Sequence, residues 1–152
     1  MTIYKTPERF VAEAGGDWAA PLGLLQTREL QRAVAGVLGH AYKTLRIRYW
    51  RAGDDATIWV LAEVGREEDI TIGFVVRGDA IERTEVLEFR ESRGWQIRMR
   101  SFTQQFTGAR LAADGELDRP IDGITGATLS VDAYHRLARL ALLLHRQVAA
   151  PR

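Results

Sequence analysis

The spacing of hydrophobic positions changes twice along the chain, from helical to strand-like and back, and these changes divide it into three stretches. Thr6-Pro7-Glu8 has the order of a helix start: a threonine to cap, a proline suited to the first turn, and an acid at the positive end. This short helix runs to Gly15-Gly16. After a loop around Pro21, Thr27 caps a second predicted helix with Leu30, Val34 and Val37-Leu38 on one face. Gly39 is placed to end that helix in a left-handed conformation.

From Leu45 the period shortens to two. Leu45, Ile47 and Tyr49 alternate with Arg46, Arg48 and Trp50, which predicts a strand with one wet face. Thr57 to Val64 is almost wholly apolar or β-branched and reads as a central strand, and Ile70 to Val76 as another. Arg77-Gly78-Asp79-Ala80 is a turn, and Ile81 to Phe89 completes a hairpin. Short connections predict an antiparallel meander rather than βαβ crossovers. Arg90 to Trp95 breaks the strand pattern, Ser101 to Phe106 reads as a short helical turn, and Gly115 to Pro120 as a loop.

The helical period then returns for the longest helix, Ser130 to Val148. Leu137, Leu140-Ala141, Leu144 and Val148 lie on its apolar face, with Asp132, Arg136, Arg139 and Arg146 wet. The pattern predicts a single α+β domain over residues 1–152, with helices packed on an antiparallel sheet of four or five strands. It comprises an N-terminal helical segment (1–40), a strand-rich core (44–100), and a glycine-containing motif joined to the long helix (122–148).

Composition narrows the possible functions. A chain of 152 residues buries a core without staples, and its hydrophobic and charged fractions, 46% and 27%, are those of a soluble globular protein. Twenty-one basic residues against 20 acidic ones, spread along the chain, give no electrostatic case for nucleic acid or an anionic membrane as partner. The absence of cysteine excludes thiolate metal sites, iron–sulfur clusters, Cys-x-x-Cys-His haem attachment and a cysteine nucleophile. No run of about 18 apolar residues exists, so no membrane span is predicted. The start, Met1 to Pro7, lacks the apolar core of a secretory signal, which leaves open a cytoplasmic protein or one whose signal has been trimmed.

Few side chains outside the motif combine into a site. His135 and His145 are ten apart, not at the spacing that puts two ligands on one helix face, and His40 follows a helix end, so no metal site is predicted. Glu67-Glu68-Asp69 lies in an apparent hairpin turn and reads as a solvated charge run.

Chemistry concentrates in Asp122-Gly123-Ile124-Thr125-Gly126-Ala127-Thr128. Its small residues let backbone approach a ligand closely, and Gly126 permits conformations that other residues do not reach. Thr125, Thr128 and Ser130 set three hydroxyls around a helix start, where free N–H groups and the helix dipole favour a phosphate. The same residues also serve as ordinary caps, so local chemistry alone leaves a candidate anion cradle. A hydrolase built on Thr128 as nucleophile lacks a histidine or lysine where the sequence would place a base.

The pattern Asp-x-x-Thr-Gly-Ala-Thr resembles the flavinylation motif of the FMN-binding domain family, which includes the C subunit of sodium-pumping NADH:quinone reductase and the G subunit of the Rnf complex. In Arg90-Glu91-Ser92-Arg93-Gly94-Trp95, followed by Phe102 to Gly108, the chain also resembles the family's Glu-Thr/Ser-x-Gly loop and Phe-x-Gly segment. The resemblance spans residues 45 to 148. It implies an electron-transfer domain that carries FMN phosphoester-linked to Thr128. A magnesium-dependent flavin transferase using FAD as donor makes the link, and Asp122, Thr125, Gly126, Ala127 and Leu129 bind around it.

Glu91 and Ser92 are then the expected polar contacts of the ring, and Trp95 and Phe102 the expected aromatic ones. Trp95 departs from the small or aliphatic residues common after that glycine, so a different pocket wall is expected. The implied partners are the transferase and membrane or periplasmic redox proteins, and the implied compartment is the periplasm, with a cytoplasmic protein as the alternative. A module that holds FMN reversibly, and a flavin-free adaptor docking a membrane reductase, are the competing readings.

Overall fold

A computed structural model describes residues 1–149. Six antiparallel strands form one sheet: β1 (Thr2–Ile3), β2 (Leu22–Leu25), β3 (Arg46–Ala52), β4 (Ala56–Val64), β5 (Asp69–Arg77) and β6 (Ala80–Phe89), in the order β1-β6-β5-β4-β3-β2. The four long central strands are consecutive in sequence, so the meander expected from their short connections is present. The two additional strands are short edge pieces of two and four residues, β1 pairing with β6 and β2 with β3. Their residues are mostly exposed, so they carry no alternating burial that a sequence pattern would reveal.

Helices cover both faces. α1 (Pro7–Glu13) and α2 (Arg28–Leu38) start where Thr6 and Thr27 accept hydrogen bonds from the backbone N–H groups of Arg9 (3.2 Å) and Leu30 (3.1 Å). Gly39 ends α2 at φ 82°, in the left-handed region. α3 (Arg100–Thr103) is a single turn between two 3-10 turns, Trp95–Arg98 and Gln104–Phe106. α4 (Thr128–Val148) begins two residues earlier than its apolar periodicity suggests, so Thr128 is its first residue.

On one face α4 and α2 bury a core with Ile47, Tyr49, Trp59, Leu61, Ile72, Phe74 and Val76, joined by Phe102, Phe106 and Tyr134. On the other, α1 places Phe10 and Val11 against Trp50, Ala52, Ile58, Val75 and Leu87. This second layer corrects the expected wet face of β3: Trp50 is buried and stacks on Trp18 at 5.0 Å, whereas Leu45 lies outside the strand and is 55% exposed. An alternating pattern cannot show a short helix packed on its back. Arg136 and Arg139 are also less wet than expected. Arg136 pairs with the buried Glu63, which His40 also meets, and Arg139 pairs with Glu116. Glycine at Gly73, in the middle of β5, makes room for α1, since a Cβ there would lie 2.5 Å from the Phe10 ring.

His145 is buried between the Thr57 hydroxyl (2.7 Å) and the Gly78 carbonyl (2.5 Å). Burial, which disfavours the charged ring, holds its pKa below the ordinary 6.5. The unfolded chain therefore takes up this proton first, and the stability His145 contributes is fully present above pH 6.5 and lost as pH falls toward its folded pKa. His40 works in the opposite sense: its bond to the Ala41 carbonyl, with Glu63 nearby, raises its pKa.

Two outcomes are expected. Gly73→Ala should lower stability in urea unfolding by about 1–3 kcal/mol, and by less in a Phe10→Ala background where the clash is gone. Between pH 7 and pH 5, calorimetric stability should fall more steeply for the natural sequence than for His145→Asn, because only the former carries the depressed imidazole.

Candidate functional site

The start of α4 differs from those of α1 and α2. Its N-cap, Ala127, offers no side-chain hydrogen bond, and no acid lies in the first turn. The first N–H groups of a helix of 21 residues are thus left without the usual side-chain acceptor, at the positive end of the dipole. The loop before it is held from outside. Gln105 accepts from the Asp122 N–H (2.7 Å) and donates to the Asp122 carbonyl (3.2 Å). Gly126 turns the chain at φ 83°, and the Ala127 N–H bonds the Ile124 carbonyl at 3.0 Å. The result leaves Thr125, Thr128 and Leu129 exposed and Ala127 and Ser130 buried.

The segment after β6 packs directly on this helix start. Gly94 has φ 93°, and a Cβ there would lie 2.1 Å from Ser130 Oγ. Glycine is thus required twice, for the left-handed backbone and for the space. The Glu91 carboxylate reaches across to the β4–β5 turn and accepts from the backbone N–H groups of Arg66 (2.9 Å), Glu68 (2.6 Å) and Glu67. Burial opposes its ionisation, but these three donors outweigh it and hold the carboxyl below its usual pKa. Turn and loop together bring Arg66 and Arg93 to a cleft of about 330 Å³ whose opposite wall is Gly126 to Ser130. Neither guanidinium forms an ion pair among the described residues.

A second cleft, of about 530 Å³, lies between the motif and the helical turns after β6. Asp122, Gly123 and Ile124 form one wall, and Gln96, Met99, Phe102 and Gln105 lie opposite. The motif therefore forms a ridge with one opening at its helix end and another at its loop end. Among the described residues no helix is long and apolar enough to cross a membrane, and no group of His, Asp or Glu side chains is arranged to hold a metal ion.

The model of the FMN-binding domain family matches residues 65–143, from the β4–β5 turn through most of α4. The chain belongs to the FMN-binding domain family. No curated protein matches it. The match is shorter at its N-terminal side than the resemblance read from residue 45, and the first two helices and β1 to β4 lie outside it.

The features present in this FMN-binding domain suit the cofactor. A phosphate is accommodated by free N–H groups, two guanidinium groups and no first-turn acid, and the paired clefts have the volumes typical of small-ligand sites.

The expected site residues fall into three groups. Gly126, Ala127, Thr128 and Leu129 line the helix-end cleft, and Asp122 lines the loop-end cleft. Thr125 is exposed between them. Ser92 and Glu91 border a neighbouring charged hollow beside Arg66 and Arg93, and the Glu91 carboxylate is occupied by the turn it caps. Phe102 contributes to the loop-end wall but is otherwise core, with its ring edge-on to Phe106 and Tyr134 at 5.6 Å. Trp95 is 49% exposed and lines neither cleft.

Arg66, Arg93, Gln96 and Gln105 were not singled out as site residues from the sequence. Arg93 and Gln105 stand inside the two segments that carry the family resemblance, a signal from which they could have been found. Arg66 is brought in only by the grip of Glu91 on its turn.

Gly94→Ala should cost about 2–5 kcal/mol, from left-handed strain together with overpacking against Ser130. Adding Ser130→Ala should recover part of it, as read by denaturant midpoints, because the hydroxyl is the nearest atom.

Proposed function

We propose that this FMN-binding domain is an electron carrier whose flavin is attached to Thr128 as a phosphoester. The observation that carries the reading is the exposed Thr128 hydroxyl at the first position of an uncapped, acid-free helix, beside Arg66 and Arg93. The N–H groups and the guanidinium groups offset phosphate charge, and exposure gives a modifying enzyme access to the oxygen. In the attachment, Thr128 Oγ bonds to the phosphorus of the FMN half of FAD, the pyrophosphate bond breaks, AMP leaves, and the hydroxyl proton passes to the transferase. The magnesium-dependent flavin transferase is thus the first partner.

FMN in this position supplies the redox chemistry, and the chain holds it and shapes access to it. Both clefts open to solvent, which suits transfer between redox proteins, membrane-bound or periplasmic, that meet the flavin at the surface. A periplasmic setting follows from the same reading, since attachment prevents loss of cofactor where free flavin is scarce.

Protein produced together with the flavin transferase should gain the mass of one FMN less water, and Thr128→Val should abolish the gain while leaving the melting temperature nearly unchanged. Denaturing precipitation should leave the yellow colour with the pellet. Colour released to the supernatant would establish reversible binding in its place.

A further inference from the structure

Three glutamines line the loop-end cleft: Gln104 is exposed to solvent, and Gln96 and Gln105 are in different states. Gln105 is satisfied, its amide oxygen and nitrogen both engaged by the Asp122 backbone. Gln96 is not: its Oε1 is buried and without a hydrogen-bond partner, the only such side-chain atom among the described residues. A buried amide oxygen left unpaired is costly, and native folds avoid it unless something else supplies the donor. Gln96 belongs to the cleft wall that faces Asp122 to Ile124, among apolar neighbours Met99, Phe102 and Ile124. The lining is mixed, with Ser101, Gln104, Gln105 and Asp122 among its polar members, and Gln96 supplies its one buried, unpaired acceptor.

We infer that Gln96, its carboxamide turned from its buried position into the cleft, reads the pyrimidine edge of the flavin ring, its carbonyl accepting from the ring N3–H and its amide N–H donating to an adjacent ring carbonyl. The inference rests on FMN occupying the motif described above. The carboxamide matches that edge because it presents an acceptor and a donor side by side, as the ring edge does in complementary order. The sequence neighbourhood gives the position its rigidity. Gln96 lies in the 3-10 turn Trp95–Arg98, whose start is fixed by Gly94 against Ser130, and whose Ile97 is fully buried. The same contact that forms the helix-end cleft therefore sets the carboxamide at the loop-end one.

The test compares the natural sequence with Gln96→Met, which keeps side-chain length and removes both polar atoms, and with Gln96→Glu, which keeps an acceptor and removes the donor. Each is produced with the transferase and isotopically labelled riboflavin, and N3–H solvent exchange is read by nitrogen-15 NMR. In parallel, flavin-free protein is melted. Gln96→Met is expected to speed N3–H exchange about fivefold and to leave the flavin-free melting temperature equal or higher, because an unpaired buried acceptor has been removed. Gln96→Glu is expected to keep N3–H protected and to lower the flavin midpoint potential, since a carboxylate beside the ring opposes added electrons.

Unchanged exchange in Gln96→Met, or a flavin-free melting temperature that falls as far as the loaded one, would overturn the assignment and make Gln96 a structural residue. Intact mass keeps the two claims apart. If Thr128 of the natural sequence carries no flavin but FMN binds reversibly, attachment fails while the exchange comparison still decides Gln96. A chain that takes up no FMN in either form overturns both.

Discussion

The burial of one face of α4 on the sheet determines where every other part of the site stands. Leu137, Leu140, Ala141 and Leu144 are fully buried, and Tyr134 sits in the middle of the aromatic cluster with its hydroxyl on Thr84 of β6. A helix of 21 residues fixed along such a face has little freedom at its first turn. Thr128 is therefore presented at a definite place above the end of β6 although it is itself exposed. Apolar burial, which has no direction of its own, becomes positional because the packing is close.

Two contacts then convert a well-placed helix end into a site. Gly94 meets Ser130 so closely that no larger residue fits, which brings the chain after β6 against the helix start. Glu91, one turn earlier, gathers three backbone N–H groups of the β4–β5 turn. A carboxylate engaged in this way is a fastener for the turn, and the groups it positions, Arg66 and Arg93, are the ones that face the cleft. Charge follows the same economy. The acids near this end of the molecule are occupied by backbone donors or lie outside the first turn of α4, so the positive end of the helix is not neutralised internally.

The open edge at the motif and the buried core are also linked. Phe102 and Phe106 pack on Tyr134, and the backbone between them carries Gln105, which holds Asp122. Displacement of the aromatic cluster would therefore be felt at the motif. The first 64 residues, which lie outside the family match, contribute differently. α1 covers the far face of the sheet through Phe10 over Gly73, and β3 and β4 extend the sheet under α4.

Much of this was legible in the residues themselves. Thr6, Thr27 and Gly39 act locally, through caps and a left-handed stop, and local signals of that kind are visible in a sequence. β4 and β5 were visible as apolar runs buried on both faces, and β3 and α4 through a face whose burial repeats along it. Gly126 and Thr128 drew notice through a motif, and the family match agrees with the family which that motif implied. The edge strands were not, since exposed short segments have no periodic burial, and Trp50 was misread because its partner, α1, comes from 40 residues away. The grip of Glu91 on a distant turn, the close approach of Gly94 to Ser130 and the unpaired Gln96 oxygen join residues far apart in the chain or depend on what fails to meet. Sequence alone determined the long elements, the family and the hydroxyl beside the last helix. Tertiary structure decided which charges and amides face that hydroxyl's two clefts, because contacts across the fold follow from packing, and packing is not written in local order.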